Sequence, residues 1–179
     1  MKKKYIYLDY AANTPVDKEV LDTFNEATLK YFANPNSTHI LGIETNKKIE
    51  EETKNIMNMF QTNANLNNDM EIIYTSGSSE SNNLALKGVA QTYKENGKHI
   101  ISTFLEHSSV SSPLTYLKEQ GYEIAEILKQ YPNCFLHVDC TQAVGKVQMN
   151  LKDVDLISFA PHKFNGLNGF GALIKRKDI

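Results

Sequence analysis

Four short stretches carry residue types that could do chemistry together. Thr75-Ser76-Gly77-Ser78-Ser79-Glu80-Ser81 follows one apolar run, Glu106-His107 another, Asp139-Cys140-Thr141-Gln142 a third, and His162-Lys163 a fourth. A Gly/Ser turn that opens a helix lets backbone N–H groups and hydroxyls approach an anion. A lysine amine, once partly desolvated, loses its proton and attacks a carbonyl. Each feature taken singly has an ordinary use: the Gly/Ser turn as a cap, Asp139 as a turn residue, His107 as a structural or surface histidine. Together they suit one class of ligand. A phosphorylated pyridine aldehyde asks for a helix N-terminus with Ser78 and Ser79 at its phosphate, an acidic partner such as Asp139 at its ring nitrogen, and an amine such as Lys163 at its aldehyde. A nucleotide would use the serines and leave Lys163 idle.

Such groups meet only if the fold gathers strand ends along one edge. The runs Glu71 to Tyr74, His99 to Ser102, Phe135 to Val138, Leu156 to Phe159 and Phe170 to Ile174 read as strands. Asn82 to Tyr93, Val110 to Gln120 and Ile124 to Lys129 read as helices between them. This alternation predicts an α/β domain, a three-layer sandwich with a mainly parallel sheet, in which ligands lie outside the carboxyl ends of the strands. The first part of the chain predicts two further helices. Thr14 stands as the N-cap of one, with Pro15 at its first position and Asp17 in its first turn. Val20, Phe24, Ala27 and Tyr31 then mark a buried stripe at helical spacing. After the loop Ala33 to Ser37, a second helix carries Ile49, Ile56 and Phe60 on one face, and the asparagine-rich run Gln61 to Asp69 reads as a surface connection.

Composition narrows the class further. With 179 residues, 41% hydrophobic and 22% charged, the chain is large enough for one globular domain or the larger part of one. A formal net charge of −2 gives no pull toward nucleic acid or an anionic membrane, and Met1-Lys2-Lys3-Lys4 is too short a basic run to change that. No apolar stretch reaches the roughly 20 residues that span a bilayer, and no signal-peptide core follows the first lysines. A cytoplasmic protein is therefore expected, with neither nucleic-acid nor membrane partners. The two cysteines, Cys134 and Cys140, form neither a CxxC pair nor a disulfide framework, and both read as small buried side chains beside a strand.

At these residues the chain resembles the cysteine desulfurases of the class V aminotransferase group, pyridoxal-phosphate enzymes of fold type I. The matching segments are Tyr7 to Ala12, Asn34-Pro35-Asn36-Ser37 with His39, Thr75-Ser76-Gly77 with Glu80-Ser81 and Asn83, Glu106-His107, His137-Val138-Asp139 with Thr141-Gln142, and His162-Lys163. Their order and spacing follow the family almost to the end of the chain. The resemblance implies pyridoxal 5'-phosphate as cofactor and L-cysteine as substrate, with alanine and an enzyme persulfide as products serving iron–sulfur cluster or thio-cofactor synthesis. It implies that Lys163 bonds covalently to the cofactor's aldehyde, that His107 stacks on the pyridine ring and moves protons, and that Asp139 pairs with the ring nitrogen. It further implies that Gln142 contacts the phenolic oxygen and that Ser79 with His162 holds the phosphate. A homodimer and a sulfur-accepting or scaffold protein are the partners it implies.

Departures from the family pattern shape the expected extent of the domain. Ala160-Pro161 stands where the family usually has Ser-Gly, which removes one phosphate hydroxyl and stiffens the backbone before His162. Ser79 stands where threonine is common and keeps the hydroxyl. The family has several dozen further residues where this chain passes from Glu123 to Ile124, and a C-terminal small domain after the point where this chain ends at Ile179. Residues 1–179 thus read as the large cofactor-binding domain, with an N-terminal arm and helix over about 1–32, an internal segment missing and the small domain absent. Neither Cys134 nor Cys140 occupies the position of the family's sulfur-accepting cysteine, so the chain alone is expected to be inactive in sulfur transfer. The alternatives are a non-catalytic remnant and another class V enzyme such as a selenocysteine lyase.

Overall fold

The computed structural model describes residues 5–103, 105–125 and 134–179. Helices α1 (Lys18–Lys30) and α2 (Ile40–Ala64) come first, followed by β1 (Met70–Thr75), α3 (Ser78–Thr92), β2 (His99–Ile101), α4 (Ser108–Glu119) and β3 (Glu123–Ala125). The chain then forms β4 (His137–Asp139), β5 (Leu156–Phe159), a 3-10 turn (Pro161–Lys163) and β6 (Gly171–Arg176). The main sheet has the order β1-β6-β5-β4, with β4 and β5 parallel and β6 antiparallel to both its neighbours. Three of its four strands therefore point the same way. β6 turns back because the connection 160–170 is shorter than the crossover of about a dozen residues or more that a parallel return takes. Strands β2 and β3 form a separate parallel pair.

Helices cover both faces of the main sheet, which is the expected three-layer α/β arrangement. On one face Val138, Cys140, Ile157, Phe159 and Ile174 pack with Phe60 and Ala64 of α2. On the other, Ile73, Leu156 and Leu173 meet Ala85 and Val89 of α3. Alternation along β5 accounts for this: Ile157 and Phe159 face α2, while Leu156 and Ser158 face α3. Ile157, Leu173 and Ile174 are at most 1% exposed, and each such side chain contributes about 1.5–3 kcal/mol. Ala90 of α3 packs with Leu117 of α4, Tyr122 and Ile100.

Five expectations from local sequence differ from the structure. The N-cap of α1 is Asp17, whose carboxylate accepts from Glu19 N at 2.8 Å; Thr14 is committed elsewhere, as described below. No residue of α1 is buried, and Val20 and Phe24 remain 39% and 40% exposed, because no described element covers the stripe beyond an edge contact of Phe24 with Phe170. Of the face expected on α2, Phe60 is buried and Ile56 packs at the rim, but Ile49 is exposed. The asparagine-rich run is partly helix and partly core. Helix α2 continues to Ala64, Asn65 closes it in the left-handed conformation (φ 53°), and Ala64 and Leu66 are buried. Finally, Ile124 and Ala125 belong to strand β3 rather than to a helix, since pairing with Ile100 and Ile101 outweighs local helical preference. The remainder of that expected helix, residues 126–129, lies outside the described residues.

Candidate functional site

The C-terminal ends of β1, β4 and β5 lie along one edge of the main sheet, with β6 between β1 and β5, and several of the expected site residues follow them. After β1, the turn Ser76-Gly77 leads into α3 with no side chain capping its N-terminus. Glu80 braces the turn from within the helix, accepting from Ser76 N and Ser76 Oγ, both at 2.7 Å. The Ser76 N–H holds the Glu80 carboxyl below the usual carboxylate range. Ser78 and Ser79 form the first turn of α3, where peptide N–H groups lack intrahelical acceptors and the helix dipole favours an anion.

The turn is pressed from behind and open in front. A Cβ placed on Gly171 would lie 2.5 Å from both Cα and C of Gly77, whereas one on Gly77 would meet nothing within 4 Å. Gly77 has extended backbone, so another residue there is not strained. Gly171→Ala is expected to lower stability by about 1–3 kcal/mol, as overpacking against backbone does. Gly77→Ala is expected to stay within about 0.5 kcal/mol of wild type, as at positions free of such constraints. Urea unfolding of the two variants checks this contrast, and equal stability of both would contradict the close approach at Gly171.

After β4, Asp139 accepts on both oxygens. Thr141 N donates to Oδ1 at 3.0 Å, with the Thr141 hydroxyl donating to the same oxygen, and Asn82 Nδ2 donates to Oδ2 at 2.8 Å. The first contact is the ordinary turn use of an aspartate. The second ties Asp139 to the middle of α3. Cys140, next in the chain, is buried in the sheet core, and burial together with the Asp139 charge pushes its thiol up to about 11. Cys134 is exposed, contrary to expectation, because it lies ahead of the strand rather than in it. His137 is on the Asp139 side of β4, with Nε2 2.9 Å from Ser158 Oγ on β5. Burial lowers its pKa to about 4, against a smaller opposing pull from Asp139.

After β5, the segment that carries Lys163 is laced to the N-terminal arm. Thr14 is buried and donates through N and Oγ1 to His162 O, each at 2.9 Å, while its Oγ1 accepts from Asn165 N at 2.7 Å. Asp17 N donates to Asn165 O at 2.9 Å. Lys163 Nζ then donates to Ala11 O at 2.7 Å and Ala12 O at 2.8 Å. Gln142 Nε2 reaches the same Ala11 oxygen at 2.9 Å, so Lys163 and Gln142 converge on one backbone carbonyl. The His162 imidazole is held below its ordinary pKa, first by burial and then by the Lys163 charge.

His107 caps α4: its Nδ1 accepts from Ser109 N at 3.1 Å and lies 2.8 Å from Ser109 Oγ. Asn82 Nδ2 donates to Ser109 Oγ at 2.9 Å as well as to Asp139. Of the residues expected at the site, His107 and Asp139 are thus linked through Ser109 and Asn82. Lys163 and Gln142 are joined through Ala11, and Gln142 follows Asp139 in the same turn. Ser78 stands one helical turn before Asn82 on α3. Sequence reasoning missed Asn82, Ser109 and the tether at Thr14. Asn82 had a signal: Ser78, Asn82, Ala85 and Val89 share a helical face, so an amide interrupts an apolar stripe. Asn83, which the motif contains, instead donates to Ser79 O at 2.9 Å.

The sequence profile described as aminotransferase class-V matches residues 6–128 and 122–179. A relative named cysteine desulfurase IscS, from Dictyoglomus turgidum, is 34% identical over 222 aligned positions, which take in 98% of this chain and 55% of that protein. Among solved structures, one described as a NifS-like protein superposes with a TM-score of 0.85 at 27% identity, covering 97% of this chain and 60% of the other. Another, described as SspA in complex with cysteine, gives 0.77 at 28% identity over 93% of this chain and 60% of that one. The chain spans about half the length of the curated relatives it matches. A profile matched along nearly the whole chain, a shared fold, and an amine and a carboxylate at neighbouring strand ends together make this chain a member of the aminotransferase class-V family.

Proposed function

We propose that residues 1–179 form the pyridoxal-phosphate-binding large domain of a cysteine desulfurase, which removes sulfur from L-cysteine and leaves alanine and an enzyme persulfide. The observation that carries this reading is the convergence of Lys163 and Gln142 on Ala11 O beside the turn that begins with Asp139. The donor set fits the cofactor: first-turn N–H groups and hydroxyls of Ser78 and Ser79 with His162 for a phosphate, Asp139 for a ring nitrogen, Gln142 for a phenolic oxygen. The open side of Gly77 leaves room in front of the helix. When bound, pyridoxal phosphate withdraws electrons from the substrate's α-carbon. The protein's part would be to orient that group, with Asp139 keeping a proton at the ring nitrogen, His107 exchanging a proton with the substrate, and Lys163 supplying the amine once it leaves its two carbonyls.

Cys140 is no candidate for the thiol that receives sulfur, since a buried thiol at about 11 is not a thiolate at neutral pH. Relatives aligned over 222 positions against a chain of 179 residues support an internal segment present in them and missing here, near the overlap of the two profile matches at 122–128. A homodimer is supported by the apolar surface of the N-terminal region, where Tyr5, Ile6, Leu8, Leu29 and Phe32 are exposed together with the whole of α1. No helix among the described residues is long and apolar enough to cross a membrane, and a cytoplasmic setting with iron–sulfur or thio-cofactor assembly as destination completes the reading.

The test is to incubate the protein with pyridoxal phosphate, reduce with borohydride and map the adduct by peptide mass. A single adduct on Lys163, together with sulfide release from L-cysteine by the full-length natural polypeptide, is the expected result. An adduct on Lys163 without sulfide release would move the reading to a remnant or another class V activity. An adduct spread over surface lysines would remove it.

A further inference from the structure

Two side chains that the proposed reaction leaves without a role, Ser109 and Asn82, lie between the His107 ring and the Asp139 carboxylate. Both are buried, Asn82 completely. The direction of every hydrogen bond between His107 and Asp139 follows from which atoms carry protons. As a carboxylate, Asp139 only accepts, and it accepts from Asn82 at Oδ2 and from Thr141 at Oδ1. The Asn82 amide must therefore present Nδ2 to it. Turning the amide over would set Oδ1 against a carboxylate oxygen, acceptor against acceptor. The orientation present is kept although it leaves Asn82 Oδ1 buried with no partner among the described residues. The second hydrogen of Nδ2 goes to Ser109 Oγ. With its oxygen accepting from Asn82, Ser109 has one hydrogen to give, and His107 Nδ1 is 2.8 Å away. The Ser109 backbone N–H donates to the same nitrogen. Two donors aimed at Nδ1 require it to be bare.

We propose that Asn82 and Ser109 are positioning residues that hold His107 as the Nε2–H tautomer and take their orientation from the charge on Asp139. Nε2 is then the one ring nitrogen left to exchange a proton with a bound molecule. Loss of the Asp139 charge frees the Asn82 amide to turn over. The Ser109 hydroxyl then donates to Asn82 Oδ1, and the hold on Nδ1 falls from two donors to the longer one at 3.1 Å, which competes weakly with a proton on that nitrogen. The group that faces the cofactor's nitrogen and the group that moves protons are in this way set together. The catalytic meaning of the relay rests on the cofactor reading above; the tautomer does not.

The test reads the imidazole nitrogens directly, by NMR of the full chain labelled with ¹⁵N in its histidine rings, with no cofactor added. His107→Gln assigns the His107 signals among the five histidines. At neutral pH the His107 Nδ1 resonance is expected at the far-downfield position of a bare ring nitrogen and Nε2 at that of a protonated one. Asp139→Asn is expected to move both toward the averaged positions of a tautomer mixture. In Ser109→Ala this response to Asp139→Asn is expected to vanish, and Ser109→Thr, which restores a hydroxyl, is expected to bring it back. Ser109→Ala removes a single oxygen from the first turn of α4, and the backbone amide spectrum reports whether the fold is retained. An Nδ1–H tautomer in the wild-type chain would overturn the proposal. So would a response to Asp139→Asn that is absent, or as large without Ser109 as with it. No step of this test depends on Lys163 or on turnover, so a failed cofactor reading leaves its outcome intact, and the reverse.

Discussion

Replacing Asp139 by alanine in the full-length natural polypeptide is expected to slow loss of the substrate's α-proton about 10²–10³-fold, equivalent to about 3–4 kcal/mol at the transition state, the usual effect of removing one dedicated electrostatic partner. Cofactor attachment at Lys163 should survive, because the amine is positioned by Ala11 and Ala12 rather than by Asp139. The variant also strips an acceptor from Asn82 Nδ2, Thr141 N and the Thr141 hydroxyl. Unpaired donors contribute part of any loss in the alanine variant, and Asp139→Asn separates that part: its oxygen still accepts from Thr141 and its NH2 pairs with Asn82 Oδ1 once that amide turns over, while the charge is gone. Exchange of solvent deuterium into the α-position, followed by mass, isolates the proton step from later sulfur transfer. Rates for both variants within threefold of wild type would leave Asp139 as a turn residue whose carboxylate serves only Thr141 and Asn82.

The elements that position these groups were legible where the sequence signal is local. The runs Glu71 to Tyr74 and Leu156 to Phe159 are strands because β-branched and aromatic residues cluster there between turn residues. Likewise, Ser78 opens a helix because a Gly/Ser turn precedes it. What was not legible depends on partners distant in the chain. Thr14 has every mark of a helix cap, yet its hydroxyl binds His162 and Asn165, some 150 positions on. The helical spacing of Ile124 to Lys129 says nothing of Ile100, which draws Ile124 into a parallel pair. The stripe on α1 announces burial without naming what buries it. The same division runs through the site. Lys163, His107, Asp139, Gln142 and Ser78 announce themselves at strand ends by residue type. Asn82 and Ser109 matter only because α3, α4 and β4 bring their atoms within 3 Å of one another.

Acid should destabilise this fold through His137, and His137→Gln is expected to remove most of that sensitivity. His137 sits on β4 with its Nε2 on Ser158 Oγ of β5, and burial lowers its pKa from the ordinary 6.5 to about 4. The folded protein thus refuses a proton that the unfolded chain accepts. Above pH 6.5 both states carry a neutral imidazole and the difference has no effect. As pH falls from 6.5 toward 4, the unfolded state is stabilised by protonation while the folded state is not. Stability therefore drops with falling pH across that window, by up to about 3 kcal/mol. Against a typical total of about 5–15 kcal/mol this is a large share. Carboxylates protonating in the same range add their own loss, so the informative quantity is the difference between variant and wild type. Urea unfolding at pH 7 and pH 4.5 supplies it: glutamine keeps a hydrogen-bonding group near Ser158 without titrating, and the drop between the two pH values should shrink accordingly. An unchanged drop in His137→Gln, or a His137 ring that titrates near 6.5 by NMR in the folded wild type, would show that water reaches the imidazole and that the β4–β5 pair does not seal it.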